Sequence, residues 1–226
     1  MAAGRPFEFD HFFVLASAEA PEADRLVELG LIEGSRNVHA GQGTSNRRFF
    51  FHNAMLELLW VHDAAEAQAD PTVPARLWRR WAERASGACP FGLCFRPALP
   101  GGGDPPFGFW RYRPAYVPEG MSFAVGSNAD VLTEPMLFSF DNVRPDRWPA
   151  GRRQPLDHPA GLRELTRIDL VSPYAAASSA ELRAVVAAGL IGLRRGADYW
   201  IELAFDGGSQ GERVDLRPAL PLVLRW

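Results

Sequence analysis

The chain has 226 residues, of which 47% are hydrophobic and 23% charged, and its formal net charge is −3. This composition is typical of a globular protein with one large domain or two small ones. The slightly acidic balance argues against a nucleic-acid partner, which usually requires a basic surface. No apolar run approaches the roughly 20 residues needed to span a bilayer, and no signal peptide is evident. We therefore expect a cytoplasmic protein with no membrane partner.

The first part of the chain, residues 7–62, predicts a β-α-β-β-β unit. The stretch FEFDHFFVL is rich in aromatic residues and predicts a strand, whose alternation places Phe7, Phe9, His11 and Phe13 on one face. A helix is expected after it over 20–30. The further strands are expected at RNVHA (36–40), RRFFFH (47–52) and MLELLWV (55–61), with the turn GQGTSN before the second of them.

The rest of the chain predicts two further units that are less regular. A helix over 74–85 packs through Trp78 and Trp81 against the body or against a second copy in a homodimer. The remaining predicted strands are PFGLCFRP, FWRYRPAYV, GMSFAVG, PMLFSF, TRIDLVSP, WIELAFD and RVDLRPALPLVLRW, with a helix at SSAELRAVVAAG.

The tail repeats the beginning of the chain. Aligning Gly30 with Gly189 superimposes Asp10 on Asp169 without gaps. The predicted organisation is a domain over 1–141 (a first unit at 7–62, a degenerate second at 88–141), a linker at 142–161 and a partial unit at 162–226.

Four segments resemble the glyoxalase-like domains of the vicinal oxygen chelate superfamily. They are DHFFVLA, GQGTSNRRFF, MLELLWV and the late DHPAGLRELTRIDLVSP. The resemblance implies an α+β fold in which paired β-α-β-β-β modules curl their sheets around a cleft, followed here by a C-terminal partial module. It also implies metal ligands on the first and last strands of each module, which correspond to His11 and Glu57.

The second module departs from the pattern of that superfamily. Its first strand offers Cys94 and its last offers Ser139 where a histidine or a glutamate is expected. Catalytic zinc usually keeps three protein ligands, so two ligands weaken the metal hypothesis. A divalent metal (Fe, Mn, Ni or Zn) held by His11 and Glu57 is therefore one alternative.

The glutamate in MLELLWV is the second feature of interest. A carboxylate within an apolar strand either faces water or faces a partner that offsets its desolvation. If Glu57 faces the cleft, it is a candidate catalytic base. The candidate substrate-binding residues around it, aromatic or polar residues of the predicted strands and turns, are His39, Asn46, Phe13, Phe49, Trp110 and Arg111.

Three functional hypotheses follow. The first is a metal-dependent lyase, isomerase or dioxygenase that acts on a small apolar or aromatic molecule. The second is a metal-free protein that binds or sequesters such a molecule. The third is a metal-free isomerase or lyase with Glu57 as the base.

Overall fold

The computed structural model describes residues 5–226 and has an α+β fold with two mixed sheets, which confirms the expected fold class. The strands are β1 Phe7–Leu15, β2 Asn37–His39, β3 Thr44–Phe50, β4 Met55–Val61, β5 Phe91–Pro97, β6 Phe109–Tyr112, β7 Phe123–Gly126, β8 Met136–Ser139, β9 Leu165–Ser172, β10 Gly192–Arg195, β11 Trp200–Phe205, β12 Arg213–Asp215 and β13 Leu222–Arg225. The α-helices are α1 Asp24–Glu28, α2 Ala64–Ala67, α3 Leu77–Ala82 and α4 Ala180–Ala187.

The first sheet has eight strands in the order β2-β3-β4-β1-β5-β8-β7-β6. β1 pairs in parallel with β4, β5 pairs in parallel with β8, and an antiparallel β1–β5 pair joins the two halves. The two halves of the sheet are thus mirror images in strand order. The first and last strands of each half lie next to each other at the centre of the sheet, where their side chains can converge.

A β-bulge in β1 corrects the predicted alternation of that strand. Phe9 pairs with Phe95, but His11 pairs with Cys94, so Asp10 is the extra residue between them. As a result Phe9 packs in the main core beside Phe12, while His11 and Phe13 face the opposite side of the sheet. Strict alternation, which puts all of them on one face, is therefore wrong for the start of the strand.

The second sheet has five strands in the order β10-β9-β11-β13-β12. It repeats the central pattern of the first sheet, because β9 is parallel to β10, β11 is parallel to β13, and an antiparallel β9–β11 pair joins them. The second sheet therefore contains two short parallel pairs of strands on either side of a central antiparallel pair. Pro218 and Pro221 separate β12 from β13 in the segment that predicts one strand.

The main hydrophobic core lies between the two sheets and includes α1 and α4. Phe51, directly after β3, contacts Phe205 of β11, with ring centroids 4.5 Å apart. On α3, the indole of Trp81 donates a hydrogen bond to the carbonyl of Ala16 at 2.9 Å, which holds that helix against the body. Within residues 5–226, every α-helix is too short to cross a membrane.

Candidate functional site

A cavity of about 360 Å³ lies on the face of the first sheet that points away from the main core, which we call the cavity face. Both halves of the sheet contribute to it, together with the β6–β7 loop and the segment after β8. Its walls are mostly aromatic or aliphatic and are formed by His11, Phe13, Asn37, His39, Gln42, Arg48, Met55, Glu57, Leu59, Leu77, Tyr112, Tyr116, Val117, Pro118, Met121, Phe123, Val125, Met136, Phe138, Phe140, Asn142, Trp148 and Arg152.

Glu57 is the acidic residue of this lining, and its position follows from the pairing of β4. β4 lies between β1 and β3, so Glu57 has Phe13 on one side and Arg48 on the other. Glu57 is 7% exposed, and among the described residues its carboxylate forms neither a hydrogen bond nor an ion pair. A carboxylate in this setting loses hydration without compensation, which is costly for the folded protein. The cavity is the open side from which a ligand can supply the missing donor.

A chain of hydrogen bonds fixes the orientation of His39. The Tyr112 hydroxyl donates to Oε1 of Gln42 at 3.1 Å, and Nε2 of Gln42 donates to Oγ1 of Thr44 at 2.8 Å. Oγ1 of Thr44 lies 2.8 Å from Nδ1 of His39, and with the Thr44 hydroxyl assigned as the donor the ring proton of a neutral His39 sits on Nε2. Tyr116 stacks on the imidazole with ring centroids 4.5 Å apart.

His39 remains neutral at physiological pH. Burial lowers the pKa of its imidazole to about 4, although the negative charge of Glu57 acts in the opposite direction. A neutral imidazole whose Nδ1 accepts a hydrogen bond is a hydrogen-bond donor through Nε2. The cavity therefore contains a carboxylate acceptor, Glu57, and a neutral imidazole donor, His39.

His11 belongs to a buried polar cluster behind the cavity wall. Its Nδ1 lies 2.5 Å from Oδ1 of Asp10, and Nη1 of Arg96 donates to the other Asp10 oxygen at 2.9 Å. Arg96 also donates to the carboxylate of Glu8 at 3.0 Å and to the carbonyl of Asn53 at 2.8 Å. The bulge in β1 creates this cluster, because it turns Asp10 towards Arg96 while His11 faces the cavity.

Electrostatics within this cluster favours charged partners. Burial alone would lower the pKa of His11, but Cys94 and Asp10 raise it well above the usual histidine value. Burial would likewise raise the pKa of Asp10, but His11 and Arg96 lower it. The cluster is thus a satisfied ion-pair network in which each charge has a hydrogen-bonded partner.

Asp10, His11 and Cys94 are also the group whose spacing suits a metal ion. Within residues 5–226 they are the one set of three potential ligands whose donor atoms all lie within 4.8 Å of one another, and Glu57 is outside it. The chemistry of the set fits a metal poorly. Both Asp10 oxygens already have partners, and burial raises the pKa of Cys94 to about 11, whereas a metal ligand must be a thiolate. A cation here would also lie beside the Arg96 guanidinium.

The structure brings four of the predicted site residues to the cavity: His11, Phe13, His39 and Glu57. The other four lie elsewhere. Asn46 is fully buried, and its Oδ1 accepts a hydrogen bond from the backbone N–H of Asn37. Phe49 packs in the main core. Trp110 packs beside Tyr112 outside the lining, and Arg111 is exposed and pairs with Asp104 at 3.1 Å.

Two parts of the cavity wall were not predicted from the sequence. The β6–β7 loop contributes Tyr116 and Met121, although this stretch predicts strand. The segment expected to be a linker contributes Trp148 and Arg152. The aromatic residues of both segments were a usable signal, because large aromatic side chains in loops usually have a surface to cover.

Comparisons with known proteins support the fold alone. The chain matches neither a protein-family model nor a curated protein sequence. Among solved structures, a hypothetical protein from Staphylococcus aureus is similar over 97% of this chain and 98% of its own, with a TM-score of 0.58 and 8% sequence identity.

A second solved structure, a xylose isomerase-like TIM barrel/4-hydroxyphenylpyruvate dioxygenase fusion protein, aligns with 90% of this chain and 37% of its own at 12% identity. Its TM-score is 0.41, too low to support an argument. The fold and the cavity define a class: an α+β protein whose eight-stranded sheet carries a cavity lined by both of its halves.

Proposed function

We propose that this chain is a glyoxalase-like protein of the vicinal oxygen chelate type that acts on a small apolar or aromatic carbonyl compound, with Glu57 as general base. One observation carries the proposal: a carboxylate that is 7% exposed and has no partner among the described residues faces a cavity with mostly apolar walls. A carboxylate that faces a cavity and is not engaged by a donor of the protein is positioned to accept a proton from a bound ligand.

The mechanism uses Glu57 and His39 together. Glu57 removes a proton from the carbon next to the carbonyl, and the electrons of the C–H bond move to the carbonyl oxygen to give an enolate. The Nε2–H of His39 donates a hydrogen bond to that oxygen, and a neutral imidazole suits this task. If the substrate has a β,γ-double bond, Glu57 returns the proton to the γ-carbon, which moves the double bond into conjugation with the carbonyl group. If the substrate carries a leaving group on the β-carbon, the enolate expels that group, which takes up the proton held by Glu57 and leaves an α,β-unsaturated carbonyl product.

The aromatic walls have a separate role in this mechanism. Phe138 stacks on Phe13 with ring centroids 6.0 Å apart, and Phe123 packs on Phe140 at 4.6 Å. Such surfaces bind the apolar body of a substrate and exclude water from the carboxylate and the enolate. Binding energy from the body of the substrate thereby helps to position its reacting carbon.

A metal-dependent reaction is the second candidate, and the donor group of Asp10, His11 and Cys94 is the observation that favours it. The partners already present on Asp10 and the thiol form of Cys94 weigh against it. We therefore assign no chemical step to a metal.

The test is proton exchange in D2O with phenylacetone as the probe, followed by NMR through loss of its methylene signal. The wild type should exchange these protons faster than buffer without protein does. The exchange rate with Glu57→Gln should be at least about 100-fold lower than with the wild type. Glu119→Gln, which removes an exposed carboxylate in the β6–β7 loop, is the matched control. Equal rates for wild type and Glu57→Gln would contradict the role of base. Probe binding lost together with exchange in Glu57→Gln would instead favour a protein that only binds its ligand.

A further inference from the structure

Two arginines lie at one end of the cavity and have no carboxylate partner among residues 5–226. Arg48 donates from Nε to the carbonyl of Ser35 at 2.6 Å, and from Nη2 to the Ser35 hydroxyl at 2.8 Å and more weakly to a second backbone carbonyl. Its Nη1 donates to no described residue. Arg152 forms no side-chain hydrogen bond in the same part of the chain and is exposed.

Aromatic rings hold the two guanidinium groups in place. Arg48 lies 5.1 Å from the centroid of Phe50, Phe50 lies 5.5 Å from Trp148, and Arg152 lies 4.6 Å from Trp148. Stacking on a ring fixes the plane of a guanidinium without using its N–H donors. The four residues form one continuous ladder, to which β3 and the segment after β8 each contribute an arginine and a ring.

The end of the cavity that contains Arg48 and Arg152 has an excess of positive charge. Glu57 is the one carboxylate of the described lining, which also contains Arg48 and Arg152. The pKa of Arg48 is lowered, mainly by burial, with Arg152 adding to the effect and Glu57 opposing it. Arg48 and Arg152 are therefore close enough to repel each other, and an anion placed between them would relieve that repulsion.

We propose that the natural ligand carries an anionic oxygen group, a carboxylate or a phosphate, that binds between Arg48 and Arg152. The inference rests on the proposed function and narrows its substrate class to apolar or aromatic carbonyl compounds with one anionic end. The anion contacts the free Nη1 of Arg48 and the exposed donors of Arg152. The body of the ligand then lies along the aromatic walls, with its reacting carbon at Glu57.

The test compares four probes that share one ring and differ in the charge of the end group: phenylacetate, phenyl phosphate, 2-phenylethanol and 2-phenylethylamine. Isothermal titration calorimetry gives the dissociation constants. At least one anion should bind the wild type about tenfold more tightly than the alcohol, the gain typical of a charge-assisted hydrogen bond. The ratio of phenylacetate to phenyl phosphate affinity identifies the anionic group. The amine should bind most weakly.

Substitution of each arginine separates the inference from its alternatives. Arg48→Gln and Arg152→Gln should each weaken binding of the preferred anion about tenfold and leave the alcohol unchanged. The neighbouring exposed Arg153, which is outside the cavity lining, provides the matched control Arg153→Gln. Higher salt should also weaken anion binding to the wild type, a result that requires no variant.

Two outcomes overturn the inference. If the alcohol binds as tightly as both anions, the cavity does not select a ligand with an anionic end, and the inference is wrong. The proposed function would still hold if phenylacetone exchange depends on Glu57. If the anions bind more tightly but Arg153→Gln weakens them as much as the other two variants, the attraction is a general surface effect and the site is excluded.

Discussion

Glu57 lies directly opposite Arg48 across the β3–β4 pair, yet these two described residues form no ion pair. The Arg48 guanidinium donates to Ser35 and stacks on Phe50 instead. Cross-strand neighbours of opposite charge usually pair. Their separation leaves the carboxylate available to a ligand, at a cost to the free protein.

That cost predicts that replacement of the carboxylate stabilises the protein. We expect Glu57→Leu to raise the free energy of unfolding by about 1–3 kcal/mol, because an unpaired buried polar group is replaced by an apolar one. Urea denaturation of wild type and variant measures the difference. The same variant should lose function, which is the usual trade-off at active sites. A loss of stability above about 1 kcal/mol would show that Glu57 has a structural partner.

Arg96 is the contrasting case of a buried charge with a structural role. It is 1% exposed and bonds Glu8, Asp10 and the carbonyl of Asn53. Arg96→Met should lower the free energy of unfolding by about 3–5 kcal/mol, because Asp10 is left buried with half its partners. Arg153→Met on the surface should change it by less than about 0.5 kcal/mol. A loss for Arg96→Met as small as that of the control would contradict the network described here.

Stability should fall as the pH is lowered from about 6.5 towards about 4. Burial lowers the pKa of both His39 and His158, so each is neutral when folded and takes up a proton more readily when unfolded. Nδ1 of His158 accepts from the Ile32 amide at 3.0 Å and its Nε2 donates to the Phe50 carbonyl at 2.9 Å, an arrangement that requires the neutral ring.

Thermal melts of the wild type and His158→Gln between pH 8 and pH 4 test whether protonation of His158 contributes to this loss of stability. The variant should be less stable at pH 8 and should show a shallower decline between pH 6.5 and 4. A parallel decline in both proteins would mean that His158 does not contribute to the pH dependence.

Gly92 is required by the position of Phe13. A Cβ added at Gly92 would lie 2.1 Å from the Phe13 ring, so the ring would have to shift away from its position against Phe138. Gly92→Ala should therefore cost about 1–3 kcal/mol and disturb the cavity wall. Gly87→Ala, where an added Cβ meets nothing within 4 Å, offers a comparison, although its positive φ of 118° adds strain there. Unchanged stability of Gly92→Ala would contradict the packing of Phe13.

Metal content provides a test of the donor group behind the cavity. Both carboxylate oxygens of Asp10 are hydrogen-bonded and Cys94 is a thiol. We therefore expect protein purified without chelators to contain far less than one equivalent of Fe, Mn, Ni or Zn. His11→Ala should leave that value unchanged. Elemental analysis that gives about one equivalent in the wild type and loses it in His11→Ala would support the metal-dependent candidate instead.

Strong local patterns predicted most of the fold. The apolar run of β4 and the opening strand and helix were evident from the sequence, because their periodicity and their boundary residues agree. The bulge at Asp10 could not be predicted from local sequence, because the partner that Asp10 contacts there, Arg96, is 86 residues away. β10 was missed because Gly192–Arg195 has little apolar character and gains its stability from pairing with β9.

The site was predicted only in part for the same reason. His11, Phe13 and Glu57 lie on the central strands, where the register places them on the cavity face. Phe49 follows Arg48 directly in β3. Because successive side chains of a strand point to opposite faces, Arg48 faces the cavity and Phe49 faces the core. The contributions of Trp148 and Arg152 depend on how the chain returns over the sheet, and no local pattern encodes that path.

The central claim is that Glu57 and His39 act on one bound molecule, and a crystal structure of the protein soaked with phenylacetone tests it most directly. We predict the carbonyl oxygen of the probe about 3 Å from Nε2 of His39 and its methylene carbon about 3–3.5 Å from the Glu57 carboxylate. A probe bound away from both residues, or a Glu57 carboxylate paired with Arg48 in the occupied cavity, would contradict the account.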